Sequence, residues 1–167
     1  NVCTDDFCDL VTQTCAFLEL NSSCDDGNAC TTNDFCTARV CVGGDPAGGC
    51  GACSGAATIP DAGGSFVGTT SGGSSLAASG GVTSASPERV YAWTPLSSGT
   101  AVIDTCATPT DHDTVVSLRQ GDCASGGEVA CNDNTTGCGP GEVGSQISVS
   151  VVGGQTYFIV VDGANGE

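Results

Sequence analysis

The chain has very few positive charges. Lys and Arg total 3 against 19 Asp and Glu in 167 residues, which gives a formal charge of −16. Nucleic acid is excluded as a partner, because binding it needs basic residues that displace counterions from phosphate. The Lys/Arg clusters that dock proteins on anionic lipid are also missing. The charge instead favours a hard cation such as Ca²⁺ as a small partner, with simple solubilisation as the alternative.

Aromatic residues, methionine and long apolar runs are scarce as well. The chain has one Trp, no Met and 26 Gly, which indicates a modest apolar core. No run approaches the roughly 18–20 apolar residues of a membrane span, so we predict no membrane insertion. The sequence also shows neither a signal peptide nor an initiator Met. We therefore expect that Asn1 is not the start of the gene product.

Cysteine is abundant, with 13 residues. This number predicts an oxidising location, extracellular or at the cell surface, where disulfides persist. Each crosslink typically contributes about 2–4 kcal/mol and substitutes for apolar burial. The cysteines are concentrated in residues 1–53, and the next one is Cys106. We place a boundary in the Gly-rich connector 48–55, which predicts disulfide-rich repeats in 1–53 and a second domain in 54–167.

The N-terminal region is an internal repeat. Residues 28–36 restate residues 1–8 with one residue inserted, and matching cysteines recur after 26 to 28 positions. The unit is C-D-D-G-N-x-C-T-x-x-D-x-C-x₄₋₆-C, and the first copy lacks its opening C-D-D-G. The missing cysteine would make the total even, so truncation explains the odd number better than a free reactive thiol. The matching cysteine pairs are Cys3 and Cys30, Cys8 and Cys36, Cys15 and Cys41, and Cys24 and Cys50.

The string CDDGNACTTNDFC, residues 24–36, resembles the slime-mould-type cysteine-rich repeat that also occurs in exported bacterial proteins. The resemblance covers residues 1 to about 45. Members of that family are mostly tandem spacers in surface and matrix proteins. The resemblance therefore implies a stalk-like spacer rather than an active site.

The sequence of the C-terminal region predicts short β-strands and shows no helical periodicity. Residues 89–93, 100–104 and 114–118 are β-rich and are bounded by Gly, Pro or Ser. Residues 146–151 alternate strictly, and Gly153-Gly154 then predicts a two-residue hairpin to the next strand. That strand, 155–161, is apolar on both faces and is expected to be central. The pattern predicts a mostly β protein whose second domain is an antiparallel, jelly-roll-like β-sandwich.

Several motifs in 57–167 resemble the bacterial pre-peptidase C-terminal domain. They are VYAW (90–93), GTAVIDTC (99–106), DTVVSL (113–118), ACND (130–133) and GQTYFIVVDG (154–163). The resemblance implies a small β-sandwich appended to secreted proteases and surface proteins, which binds substrate or surface and sometimes Ca²⁺. The family pattern continues with a further strand, and Glu167 precedes it. We therefore expect the last strand of the sandwich to be missing from this chain, by truncation or by donation from a neighbouring molecule.

Two groups of acidic and amide side chains are candidate metal ligands. Carboxylates a few ångströms apart repel each other, and a divalent ion converts that repulsion into attraction. The alternative is that Asp and Asn side chains only cap turns between disulfides and strands. The candidates in the repeats are Asp5, Asp6, Asp25, Asp26, Asn28 and Asp34, and those in the second domain are Asp104, Asp111, Asp113, Asn132, Asp133 and Asp162.

The remaining chemical motifs point to structure rather than catalysis. His112 is the single histidine and no G-x-S-x-G elbow occurs, so we predict no catalytic residue and no zinc site. Cys50 and Cys53 form a CxxC that we interpret as a structural disulfide. Connectivity among Cys24, Cys30, Cys36 and Cys41 does not follow from the sequence. In the second domain we expect Cys123–Cys131 and Cys106–Cys138, and sequons allow glycosylation at Asn21 and Asn134.

These observations lead to one expected function and one alternative. We expect an extracellular, non-catalytic structural or adhesive component of a surface or fibre, stabilised by Ca²⁺. Its partners would be neighbouring copies of itself or a cell-surface or matrix polymer. The alternative is an accessory binding region of a larger secreted hydrolase or protease.

Overall fold

The structure, a computed structural model, is built from short β-strands. It describes residues 2–9, 14–27, 31–46, 51–70, 76, 86–107, 110 and 112–164. Within these ranges the regular helix is one 3₁₀ turn, Pro140–Glu142, and no described helix could span a membrane. The strands are β1 Thr4–Asp9, β2 Thr14–Glu19, β3 Thr31–Thr32, β4 Phe35–Thr37, β5 Val40–Val42, β6 Asp45–Pro46, β7 Ala57–Thr58, β8 Arg89–Trp93, β9 Gly99–Asp104, β10 Thr114–Gln120, β11 Gly127–Asp133, β12 Gln146–Val151 and β13 Tyr157–Gly163.

The N-terminal region contains two antiparallel hairpins, β1–β2 and β4–β5. Cys8 lies opposite Cys15 in the first hairpin, and Cys36 lies opposite Cys41 in the second. The two hairpins are therefore equivalent in the sequence repeat, where Cys8 corresponds to Cys36 and Cys15 to Cys41. The β4–β5 turn is two residues long, and Ala38 and Arg39 both have positive φ, as a type I′ turn requires. A third pair, β3–β6, closes the same region.

Four disulfides join the described cysteines, and one of them corrects two predicted bridges. Cys106 pairs with Cys138, as expected. Cys123 pairs with Cys53 rather than with Cys131, and the predicted Cys50–Cys53 bridge is wrong for the same reason. Cys131 is the free, exposed thiol among the described cysteines. In the repeats the bridges are Cys3–Cys36 and Cys24–Cys41, while Cys30 and Cys50 lie outside the described residues.

The C-terminal region contains a five-stranded sheet and a separate two-stranded sheet. The five-stranded sheet has the order β11-β10-β13-β8-β7, and its pairs are antiparallel apart from β7–β8. Strand β13 is central, as its apolar faces predicted. The hairpin predicted at Gly153-Gly154 is wrong, because β12 pairs with β9 while β13 pairs with β10 and β8. Residues 152–155 form a turn, with Gln155 N–H donating to Val152 O at 3.2 Å, that leads from one sheet to the other.

One face of the five-stranded sheet and the inner face of the two-stranded sheet share a hydrophobic cluster. Burying this apolar surface is the main favourable contribution to folding. The strict alternation of β12 predicted that one of its faces is buried, and Ile147 and Val151 do lie in this cluster. The buried members are Val42, Ala57, Ile59, Tyr91, Val116, Leu118, Ile147, Val151, Tyr157 and Ile159.

The opposite face of the five-stranded sheet packs against the connector. Ala52 joins Val90, Cys123 and Val160 in a second cluster, with Cys53 and Leu76 packed against it. This packing brings Cys53 to Cys123 and explains their bridge, whereas Cys131 lies opposite Ser117 within the β10–β11 ladder. The described parts of the Gly/Ser-rich segment 63–86 also contribute packed residues: Phe66 contacts the first cluster and Ser86 is fully buried.

The three cations of the chain occupy unequal environments. Arg89 and Arg119 are only 2% and 6% exposed, whereas Arg39 is exposed in the β4–β5 turn. Arg119 Nη1 donates to the carbonyl oxygens of Cys123 and Ala124, at 3.1 and 3.3 Å. Two of the three positive charges are therefore held inside an acidic molecule.

Candidate cation site

Three carboxylates converge in the second repeat. Asp25, Asp26 and Asp34 place one oxygen each within 4.8 Å of one another. Asp25 and Asp26 directly follow Cys24, whose disulfide to Cys41 fixes the loop to β5. Asp34 directly precedes β4 and is only 6% exposed. The three side chains are thus brought together by the crosslink and by the start of a hairpin.

Hydrogen bonds hold the loop in a single arrangement. Asp34 Oδ1 accepts from Gly44 N–H and its Oδ2 accepts from Asp26 N–H, both at 3.0 Å. Asp26 Oδ1 accepts from Thr31 Oγ1 at 3.0 Å. Asp25 Oδ1 accepts from Gly27 N–H at 2.8 Å, in an Asx turn that Gly27 completes with a φ of 80°.

Backbone comes very close to this cluster. A Cβ atom added at Gly43 would lie 2.7 Å from Asp26 Oδ2, a distance that real Cβ atoms essentially never show. Glycine at this position therefore lets the chain after β5 pass against the carboxylates. The same loop lines an open depression of about 440 Å³ to which Asp25 and Asp34 contribute.

The pKa of Asp34 lies below its ordinary value of 3.8. Burial raises the pKa, but hydrogen bonds donated by Gly44 N–H, Asp26 N–H and the Thr31 side chain together lower it by more. These donors stabilise the ionised form, so Asp34 carries a full negative charge at neutral pH.

The cluster has the chemistry of a Ca²⁺ ligand set. An ionised carboxylate offers about four lone-pair directions, so each Asp34 oxygen that accepts one N–H can still coordinate a cation. Carboxylate oxygens are the preferred ligands of Ca²⁺ in proteins. The same hydrogen bonds also fulfil the simpler role of fixing turns. Asn28 lies outside the described residues, as does the side chain of Asp6. Asp5 lies in β1, outside this three-carboxylate group.

The second predicted group lies at one end of the sheets. Asp104 ends β9, Asn132 and Asp133 end β11, Asp162 is near the end of β13, and Asp113 directly precedes β10. Within the described ranges, however, these side chains do not form a set of three carboxylates within 4.8 Å. Asn132 Oδ1 accepts from Thr135 Oγ1 at 2.8 Å, and Asp104 Oδ1 accepts from Cys106 N–H at 3.1 Å. Asp111 lies outside the described residues.

Asp162 belongs instead to a buried pair of acids. Asp162 is 7% exposed. Its neighbour Glu88, the residue directly before β8, is 3% exposed. Burial and the nearby Glu88 charge raise the pKa of Asp162 to about 6, against the lowering effect of the Gly163 N–H bond. Glu88 Oε1 accepts from Leu76 N–H at 2.8 Å.

Glu88, Thr31 and Gly44 also belong to these clusters, although the sequence pattern did not single them out. Thr31 and Gly44 could have been suspected from their positions beside Asp26 and Asp34 in a cysteine-dense loop. Glu88 carries no local signal, because its contact with Asp162 depends on pairing between β8 and β13, which are far apart in the chain.

Comparison with known proteins adds no relative. The chain matches no protein-family model, and searches of curated proteins and of solved structures give no significant match.

Proposed function

We propose that this chain is an extracellular structural or adhesive component that disulfides stiffen and Ca²⁺ stabilises. The observation that carries the proposal is the Cys3–Cys36 bridge, which links the first repeat unit to the second. A bridge between consecutive units transmits force along the repeats, whereas a bridge within one unit would only close a loop. The disulfides are consistent with an oxidising, extracellular setting.

The second part of the proposal concerns the C-terminal region. Side chains from the five-stranded sheet and from the β9–β12 sheet share one hydrophobic cluster, which supports a two-layered β-sandwich. A sandwich with a covered outer face and polar loops at its ends is suited to holding a partner. In keeping with the resemblance to the pre-peptidase C-terminal domain, we assign it a binding role, with neighbouring copies or a matrix polymer as partner, and no catalysis.

The calcium part of the proposal rests on Asp25, Asp26 and Asp34. For a site in the range typical of extracellular modules, with a dissociation constant of about 10⁻⁴–10⁻³ M, 10 mM Ca²⁺ should stabilise the fold by roughly 1.4–2.7 kcal/mol. We expect thermal melting in 10 mM Ca²⁺ to occur several degrees higher than in chelator.

Two variants test whether the calcium-dependent shift in melting temperature arises from this cluster. Asp25→Asn keeps an oxygen that can accept from Gly27 N–H but removes an exposed charge from the cluster, so the calcium-dependent shift should shrink strongly. Asp61→Asn changes an exposed acid outside the cluster and should leave the shift intact. Identical melting with Ca²⁺ and with chelator would remove calcium from the proposal, and an undiminished shift in Asp25→Asn would relocate the site.

A further inference from the structure

Arg89 is a buried cation without an anionic partner. Its Nη2 donates to the carbonyl oxygen of Gly43, and its Cζ lies 5.1 Å from the centroid of the Tyr91 ring. Nε and Nη1 are buried and have no hydrogen-bond acceptor. A buried charge of this kind is unfavourable unless it is paired and hydrogen-bonded. Although the chain has 19 acidic residues, none that the structure describes is paired with Arg89.

The guanidinium lies beneath a surface groove of about 250 Å³. One wall is the β4–β5 hairpin, with Phe35, Thr37 and Val42, and the other is the segment 66–69. Gly68 lines the groove and touches the arginine, because a Cβ added there would lie 3.2 Å from Arg89 Nε. The described residues that line the groove include no ionisable side chain, in contrast to the acidic surface elsewhere.

The backbone of residues 64–68, of which residues 66–68 line this groove, is unpaired. Within the described part of the chain, the N–H and C=O groups of these five residues make no hydrogen bond. Unpaired peptide groups beside apolar side chains are the usual template for the addition of a peptide strand. Side-chain contacts such as Phe66 against Tyr91, with ring centroids 6.1 Å apart, hold the segment in place.

We infer that this groove binds an extended peptide that carries one carboxylate among uncharged side chains. The carboxylate accepts hydrogen bonds from Arg89, and the peptide backbone pairs with residues 64–68. Because Gly68 covers Nε, binding includes an outward shift of segment 66–68, which no backbone hydrogen bond restrains. The unpaired peptide groups favour a peptide over an acidic polysaccharide. The inference goes beyond the proposed function and does not depend on calcium.

The test measures binding of two labelled probe peptides by fluorescence anisotropy in chelator. The probes are acetyl-Val-Thr-Val-Asp-Val-Thr-Val-amide and the same peptide with Asn in place of Asp. A hydrogen-bonded charge pair predicts that the Asp peptide binds the wild-type chain about ten- to a hundredfold more tightly. The preference should fall to about one in Arg89→Gln. It should persist in Arg119→Gln, which removes an equally buried arginine whose Nη1 already has acceptors.

A second variant keeps the test decisive if Arg89→Gln does not fold. Val67 lines the groove and is 75% exposed, so Val67→Asp adds a negative charge there without loss of buried contacts. It should weaken the Asp peptide at least tenfold more than the Asn peptide. Val102→Asp, at a site 60% exposed on β9, should change neither. Equal binding of both peptides by the wild type, or no binding at millimolar concentration, overturns the inference. So does Arg89-dependent binding of an oligogalacturonate when neither peptide binds.

Discussion

At the residue scale, the environment of each carboxylate decides its protonation more than its place in the sequence does. Asp34 and Asp162 are both nearly buried, at 6% and 7% exposure, yet their pKa values move in opposite directions. Asp34 accepts hydrogen bonds from Gly44 N–H and Asp26 N–H, whereas Asp162 faces a second carboxylate. The first is therefore a stable anion, and the second is held as an acid that ionises near pH 6.

The Asp162–Glu88 pair makes stability depend on pH. Because the folded-state pKa of Asp162 is about 6 against 3.8 for the free side chain, the folded state binds more protons between these values. The contribution of Asp162 to the free energy of unfolding is therefore complete at low pH. It is lost as pH rises from about 4 through about 6, by roughly 3 kcal/mol in total. We expect Asp162→Asn to flatten this slope and to be more stable than wild type at pH 7.5, as measured by urea unfolding from pH 4 to 8.

Glu88→Gln provides the control for that experiment. It removes the neighbouring charge but leaves the burial of Asp162, so the folded-state pKa of Asp162 falls. The loss of stability should still begin near pH 4, but it should end at a lower pH and be smaller. Asp34 acts in the opposite sense, since its lowered pKa stabilises the fold above about pH 4 and that stability disappears in stronger acid. A wild-type stability that does not change between pH 4 and 6 would contradict the assigned role of Asp162.

At the scale of elements, local pattern predicted most strands of the C-terminal region well and their partners poorly. The β-rich runs at 89–93, 100–104, 114–118 and 146–151 all form strands at nearly those bounds. Residues 157–163 form the central strand, because an apolar side chain on either face can be buried there. The predicted hairpin between β12 and β13 is wrong, since two glycines specify a turn but not whether the chain returns to the same sheet or crosses to the other.

The candidate cation site was predictable in composition but not in geometry. Asp25, Asp26 and Asp34 stood out in the repeat, and the structure brings their carboxylates together. The sheet-end acids were predicted in the same way, but those that the structure describes do not form a three-carboxylate set, and one of them, Asp162, lies beside Glu88 instead. Strand ends can be inferred from the sequence, but side-chain direction requires the register of every pair.

The chain after β5 packs closely against the acidic loop, and a substitution at Gly44 tests this packing. A Cβ atom there would lie 2.1 Å from Thr32 O and 2.4 Å from Asn33 O, both backbone atoms that cannot move independently. Gly44→Ala should therefore destabilise the fold by roughly 2–3 kcal/mol and weaken the calcium response, because Gly44 N–H holds Asp34. Gly99→Ala, where a Cβ meets nothing within 4 Å, is the matched control in denaturant unfolding. Equal stability of the two variants would argue against this packing.

At the scale of the whole molecule, crosslinks connect parts that are distant in the chain. Cys53–Cys123 spans a sequence separation of 70 and ties the connector to the turn after β10. The sequence could indicate that cysteines pair but not this partner, because the proximity of Cys53 and Cys123 depends on packing of the connector against the sheet. Crosslinks over such long loops restrict the unfolded chain most strongly.

Disulfide mapping checks this connectivity. Proteolysis without reduction, followed by mass spectrometry, should yield a Cys53–Cys123 peptide and a separate Cys131 peptide. Cys131 should react with iodoacetamide slowly at neutral pH, since a hydrogen bond with Glu128, partial burial and the Glu128 charge raise the pKa of its thiol. Alkylation should accelerate as pH rises toward 10. A Cys123–Cys131 peptide would show that the sheet and connector are arranged differently.

With Arg89 and Arg119 withdrawn into the interior, Arg39 is the single cationic side chain left on the outside of the molecule. Two such particles approaching in dilute salt meet a mutual electrostatic barrier that extends about 30 Å at 0.01 M and shrinks to about 8 Å at 0.15 M. Crowding of this protein into a dense layer is therefore governed by the surrounding electrolyte. Fresh water keeps the molecules apart, and brine or hard water lets them settle against one another.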